Sequence, residues 1–284
     1  MKVAYFTAGT TGAGHLVRGL AIQRALLRAG FAGEYRMFGP QRPFPIADHS
    51  TCEVVTVPSA ELTDPLRARI SDLALALNRF RPDLLIVDMF WAPLRHILPL
   101  AQCECWLIVR HCPPVWFVGP PRSPFAPEQF DRIIAIEPIR HAAVREHIDP
   151  VVICNPDECR TRGALRERLG VPRDERLVAV VHAGIAGECE QLLRNSETAT
   201  TCVFNLFHDH ALFPVAEWLA GADVIRAGAG YNTFWEAHWL GYADRTRFTA
   251  FARKMDNQEW RLATCSGTAV HHNGADTLAS WILG

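Results

Sequence analysis

Residues 7–30 read TAGTTGAGHLVRGLAIQRALLRAG. The run before them, Val3-Ala4-Tyr5-Phe6, is short, apolar and rich in aromatic and β-branched residues, which predicts a buried strand. Beyond His15, Leu16, Val17, Leu20, Leu26 and Leu27 recur at helical spacing until Gly30 ends the pattern. Strand, glycine-rich turn and helix therefore follow one another from the first residues. In a wound α/β sheet such a turn lies at the carboxyl edge of the strands, where ligands bind. Gly9, Gly12 and Gly14 let backbone N–H groups come close to an anion or a sugar, and His15 opens the helix into the same space. The turn is not a dinucleotide fingerprint, because Glu34 lies in a loop and gives no convincing ribose partner. A plain tight turn fits the same residues.

The 284 residues, 49% of them hydrophobic, can bury one large core or two ordinary ones. A net charge of −1 provides no basic stripe for nucleic acid. No apolar run reaches the roughly 18 residues of a membrane helix, and no signal-like segment opens the chain, so a cytoplasmic location is expected. Nine cysteines, with Cys103-x-Cys105 and Cys154-x4-Cys159 the only close pairs, read as buried thiols. The pairs His208/His210 and His271/His272 lack a carboxylate or cysteine to complete a metal set, and no metal is expected.

Short apolar runs alternate with helical patterns through the first half. Strands are predicted at 35–38, 53–57, 84–87, 105–109 and 132–136, and helices at 62–79 and 93–102. That βαβ succession predicts a mainly parallel sheet with helices on both faces. The stretch CPPVWFVGPPRSPFAP (112–127) is too proline-dense for regular structure and predicts a long loop. The register restarts near Pro150. A charged helix at 160–169 is followed by strands at 177–182, 201–207, 223–226 and 247–251, with glycine turns at 182–188 and 226–233. The fold class is therefore α/β, two Rossmann-like domains facing a cleft, at 1–152 and 153–284.

ADVIRAGAGYNTFWEAHWLG (222–241) followed by FARKMDNQEWRLA (251–263) resembles the donor-binding half of GT-B nucleotide-sugar glycosyltransferases. The likeness is to the plant and macrolide glucosyltransferases and to the peptidoglycan N-acetylglucosaminyltransferase. TAGTTGAGH resembles the acceptor-domain loop of the peptidoglycan enzyme, and PDLLIVDMF (82–90) the VVDxF-like motif of the plant enzymes. The resemblance touches both domains in the same order. It implies transfer of a sugar from a nucleotide diphosphate to an acceptor hydroxyl, inverting and metal-independent, with no cofactor beyond the donor itself. Relatives continue beyond ADTLASWILG into helices that cross back to the first domain, so a shortened second domain is expected. The histidine that many of them carry at the position of Gly228 is absent.

Each site residue has a chemical rationale beside a structural one. Gly228, Ala229 and Gly230 permit close backbone approach, and Asn232 and Thr233 present donors to a diphosphate at a helix N-terminus. Glu236, one turn in, can take both ribose hydroxyls, or simply complement the helix dipole. Asp256, Asn257 and Gln258 would face the donor sugar, or cap the helix that follows. Gly184 and Gly187 form a weaker phosphate turn. On the acceptor side, Gly12, Ala13 and Gly14 allow approach and His15 is the candidate general base; it could equally close the turn. Asp88 would orient it and stabilise its cation, or cap a helix. A partner subunit or binding module for nucleotide sugars, and an epimerase or hydrolase on the same fold, are the competing functions. The acceptor and the oligomeric state are unassigned; a lipid acceptor would add a peripheral membrane contact.

Overall fold

The computed structural model describes residues 1–9, 13–40, 52–57, 64–119, 124–182, 185, 187–194, 200–204 and 212–284. The chain divides into two compact units. The first is built from residues 1–9 and the described residues between 30 and 148, and the second from residues 13–29 and those from 149 onward. This differs from a simple cut at 152/153, because the first helix groups with the second unit.

In the first unit β1 (Lys2–Phe6), β2 (Glu34–Gly39), β3 (Cys52–Val54), β4 (Leu84–Asp88), β5 (Glu104–Val109), β6 (Arg132–Ala135) and β7 (Glu146–His147) form one parallel sheet. Its order is β3-β2-β1-β4-β5-β6-β7. The chain winds outward in one direction from β1 and in the other from β4, so the order reverses between these two strands. Phe6 stands in register with Val87 there. Strands this apolar on both faces suit a parallel sheet covered by helices. Phe6, Leu85, Val87 and Leu107 pack with Leu73, Leu77 and Phe80, each side chain contributing roughly 1.5–3 kcal/mol on burial.

Two expected helices are interrupted. The pattern at 62–79 splits, in its described part, into α2 (Pro65–Arg69) and α3 (Asp72–Phe80). Ser71 is the reason: its hydroxyl accepts from Ala74 N at 3.3 Å and caps a new helix. At 93–102 Pro93 and Pro99 allow only 3-10 turns, Ala92–Leu94 and Leu98–Leu100. The described part of the proline-rich stretch holds 3-10 turns at Pro114–Phe117 and Pro127–Gln129. Its aromatic residues pack with the segment that follows β4, Trp91 lying edge-on to Trp116 with centroids 6.0 Å apart.

The second unit contains α1 (Gly14–Arg28), α4 (Arg162–Leu169), α5 (Glu188–Leu193), α6 (Tyr231–Trp239), α7 (Gln258–Cys265) and α8 (Gly274–Leu283). Its sheet is again parallel, β8 (Leu177–Val181), β9 (Thr200–Phe204), β10 (Val224–Gly228) and β11 (Thr246–Thr249), in the order β11-β10-β8-β9. The order reverses between β8 and β10. Helix α1 buries Leu16, Val17, Leu20 and Leu26 but leaves Leu27 exposed. It packs against α8. Its arginines fix that placement: Arg28 pairs with Asp276 at 2.5 Å and Glu158 at 3.1 Å, and Arg24 with Glu217 at 2.6 Å. Among the described residues no helix is long and apolar enough to cross a membrane.

Candidate functional site

In the second unit β10 ends at Gly228, and Ala229 N donates to the Thr249 carbonyl at 2.9 Å. Gly230 then stands as the N-cap of α6. A glycine cap has no side chain, so it leaves the first-turn amides of the helix without the usual capping acceptor. Asn232 Nδ2 donates to the Gly14 carbonyl at 3.0 Å, tying the first turn of α6 to the start of α1. Its Oδ1 is buried and, among the described residues, receives no hydrogen bond. Thr233 is half-buried beside it.

Glu236 lies one turn further along α6. It is half-buried, and among the described residues its carboxylate makes no hydrogen bond or ion pair. Burial pushes its carboxyl up to about 7. A carboxylate so placed gains from any ligand that brings hydroxyl donors.

The three residues before and at the start of α7 have defined partners. Asn257 is the N-cap, its Oδ1 accepting from Trp260 N at 2.9 Å. Gln258 Oε1 accepts from Phe251 N at 2.9 Å, and its Nε2 lies 3.9 Å from where a side chain on Gly230 would begin. Asp256 Oδ1 pairs with Arg261 at 2.6 Å. Arg261, fully buried, also donates to the Ala229 carbonyl at 2.8 Å. It binds Asp256 to the glycine-rich turn, a role not foreseen from the sequence; its one signal was an arginine one turn into a helix of otherwise ordinary composition.

Gly187, with φ 90°, is the left-handed residue that starts α5. Glu188 follows it. Its carboxylate accepts from both Arg253 guanidinium nitrogens (2.6 and 2.5 Å) and holds His182 Nε2 at 2.8 Å. Burial alone would raise the Glu188 carboxyl, but Arg253 and then His182 hold it below the usual range. Neither His182 nor Glu188 was singled out in the sequence, although they bracket the glycine turn.

Among the acceptor-side residues, Ala13 is buried at the N-cap of α1 and Gly14 is its first residue. His15 Nδ1 accepts a hydrogen bond from Arg18 Nη2 at 2.6 Å. The Arg18 guanidinium lies 4.9 Å from the ring centre of Tyr231. In the first unit Asp88 ends β4, fully buried, and accepts from the Tyr5 hydroxyl of β1. It therefore sits where the strand order reverses. Met89 follows in the left-handed region, at φ 64°, and turns the chain sharply away. Gly12, Gly184 and the pair His208/His210 lie outside the described residues. No group of three or more His, Cys, Asp or Glu side chains among the described residues is placed to hold a metal.

Neither a family model nor a curated protein matches the sequence. Solved structures do. The spinosyn forosaminyltransferase SpnP is similar at a TM-score of 0.61 and 14% identity, over 95% of this chain and 85% of that one. The glycosyltransferase SsfS6 of Streptomyces sp. SF2575 is similar at a TM-score of 0.58 and 11% identity, over 100% and 91%. The glycosyltransferase VinC in complex with dTDP gives 0.55 and 12%, over 99% and 90%. With two parallel sheets, each reversing its strand order at the edge that carries these residues, the chain has the fold of the GT-B glycosyltransferases.

Proposed function

We propose that this protein transfers a sugar from a nucleoside diphosphate donor, with uridine or thymidine as the nucleoside, to an acceptor hydroxyl. The observation that carries this is Glu236: a half-buried carboxylate without a hydrogen bond or ion pair among the described residues, one turn behind an uncapped helix start. Diphosphate oxygens fit the first-turn amides of α6, and the two ribose hydroxyls fit Glu236. Asp256, held against the glycine turn by Arg261, is the proposed contact to the donor sugar. Negative charge growing on the leaving diphosphate is then met by fixed dipoles and needs no metal.

His15 is the proposed base of an inverting displacement, and Asp88 its orienting partner. Nδ1 of His15 accepts from Arg18, so in the neutral ring Nε2 carries the hydrogen. Accepting the acceptor's proton therefore requires Arg18 to release Nδ1 as the acceptor binds. That engagement also favours a second reading, a donor-binding protein that does not turn over. Incubation with UDP- and dTDP-sugars, with and without cell extract, separates the two. Nucleotide release only with extract supports transfer, release without it supports hydrolysis, and binding without release supports the second reading.

A further inference from the structure

The sheet of the second unit reverses its order between β8 and β10, and in open α/β sheets ligands enter the crevice at the carboxyl ends of such a strand pair. His182 follows the last residue of β8, and Gly228 is the last residue of β10. A Cβ on residue 228 would lie 3.3 Å from His182 Nδ1 and 3.2 Å from Phe251 Cδ2. Glycine is thus what leaves room for the imidazole beside the strand end. The His182 side chain is only 8% exposed, and Phe251 covers it with ring centroids 5.2 Å apart. Its Nε2 is fixed on Glu188, which Arg253 grips with both terminal nitrogens. Among the described residues Nδ1 makes no hydrogen bond. A ring nine-tenths buried, anchored at one nitrogen and bare at the other, is a prepared contact for a ligand.

We propose that His182 is a proton-dependent anchor for the donor diphosphate, gaining a proton at Nδ1 as the phosphate docks beside Gly228. The proposal rests on the donor-site reading above and assigns a residue to its phosphate. The chemistry follows from Glu188, whose ionised carboxylate requires an N–H on Nε2. The neutral ring then presents a lone pair at Nδ1 beside Gly228, which repels a phosphate oxygen; the protonated ring donates from both nitrogens. The charges acting on the ring are Glu188 from α5 and Arg253 from the segment after β11, and β10 contributes none at Gly228. Burial, opposed by Glu188 and aided by Arg253, holds the empty site's imidazole below its ordinary range. The proton therefore arrives with the anion, from solvent. Affinity should rise as pH falls and level off once the free ring is itself protonated.

Calorimetric titration of UDP and thymidine diphosphate at pH 7.5, in two buffers of different ionisation enthalpy, counts the protons exchanged. Wild type should take up more protons than His182→Asn, by up to about one per nucleotide. The variant should bind about 10-fold or more weakly at pH 6.5, the scale of a lost charge-assisted hydrogen bond, with the gap closing toward pH 9. Glu236 is present in both proteins, so its own proton traffic cancels in the comparison. Glu188→Gln, which keeps the ring but removes its counter-charge, should show reduced uptake, and thermal midpoints identify any variant that has failed to fold. Equal affinity and equal proton counts in wild type and His182→Asn overturn this proposal while leaving the donor site standing. Absence of nucleotide binding by wild type overturns both.

Discussion

Arg261 Nη1 donates to the carbonyl of Ala229 at 2.8 Å while Nη2 pairs with Asp256 at 2.6 Å. One fully buried guanidinium thus fixes both the glycine-rich turn and the acid proposed to meet the donor sugar. Arg261→Leu strips a buried ion pair of its cation and should cost about 3 kcal/mol of stability, read as a lower urea midpoint. Arg261→Lys should recover little, since an ammonium cannot span both acceptors in the same geometry. A variant as stable as wild type would show that the pair does not organise this turn.

Glu236 links acidity to stability. Its carboxyl titrates near 7 in the folded chain against an ordinary 4.5. Between those values the unfolded chain is ionised while the folded chain keeps its proton. Stability of the ligand-free protein should therefore fall as pH rises from about 4.5 to about 7, then level off. Glu236→Gln should abolish that decline and be more stable at pH 8 by on the order of 1–3 kcal/mol. The same variant should bind UDP or thymidine diphosphate more weakly by ~1.5–3 kcal/mol. Parallel stability profiles for the two proteins would refute the titration, and an unchanged dissociation constant the ribose contact.

If His15 is the base, His15→Ala should lower turnover by ~10²–10⁴-fold with donor affinity nearly unchanged. The rate of the unsubstituted protein should then rise with pH, because only a neutral imidazole accepts the proton. Asp88→Asn should lower turnover less, since the amide still orients a ring but cannot balance its charge. Turnover and thermal midpoint on the same preparation decide it: a folded, fully active alanine variant removes His15 from the chemistry.

Donor binding should survive metal removal. The proposed phosphate contacts are backbone N–H groups and a histidine, so titration of UDP or thymidine diphosphate in EDTA should give the affinity measured with magnesium. A loss in EDTA would require a metal in the site.

Local periodicity made most of the strands legible, along with helix α1 and the helix that carries Glu236, because each depends on a few neighbouring residues. Ser71 and the prolines at 93 and 99 divided two expected helices, since capping and missing N–H groups outweigh an apolar stripe. The partners chosen at long range were not legible. Arg261 reaches Ala229 across 32 residues and Arg253 reaches Glu188 across 65, and no spacing rule encodes either. Within residues 182–188 the glycines carry a sequence signal and the ionisable pair flanking them carries none, because nothing local makes partners of a histidine and a glutamate six apart.

Helix α1 packs against α8 and is clamped by Arg28 to Asp276, although the chain places them at opposite ends. On a ribosome adding ~5–20 residues per second, α1 waits on the order of 10–50 s for that partner. The part of its apolar stripe that α8 covers stays bare until then, which makes the nascent second unit a substrate for holding chaperones. A chain stalled before Gly274 should leave α1 without its seat, and pulse proteolysis of arrested chains would show it cleaved within residues 14–28 until α8 emerges.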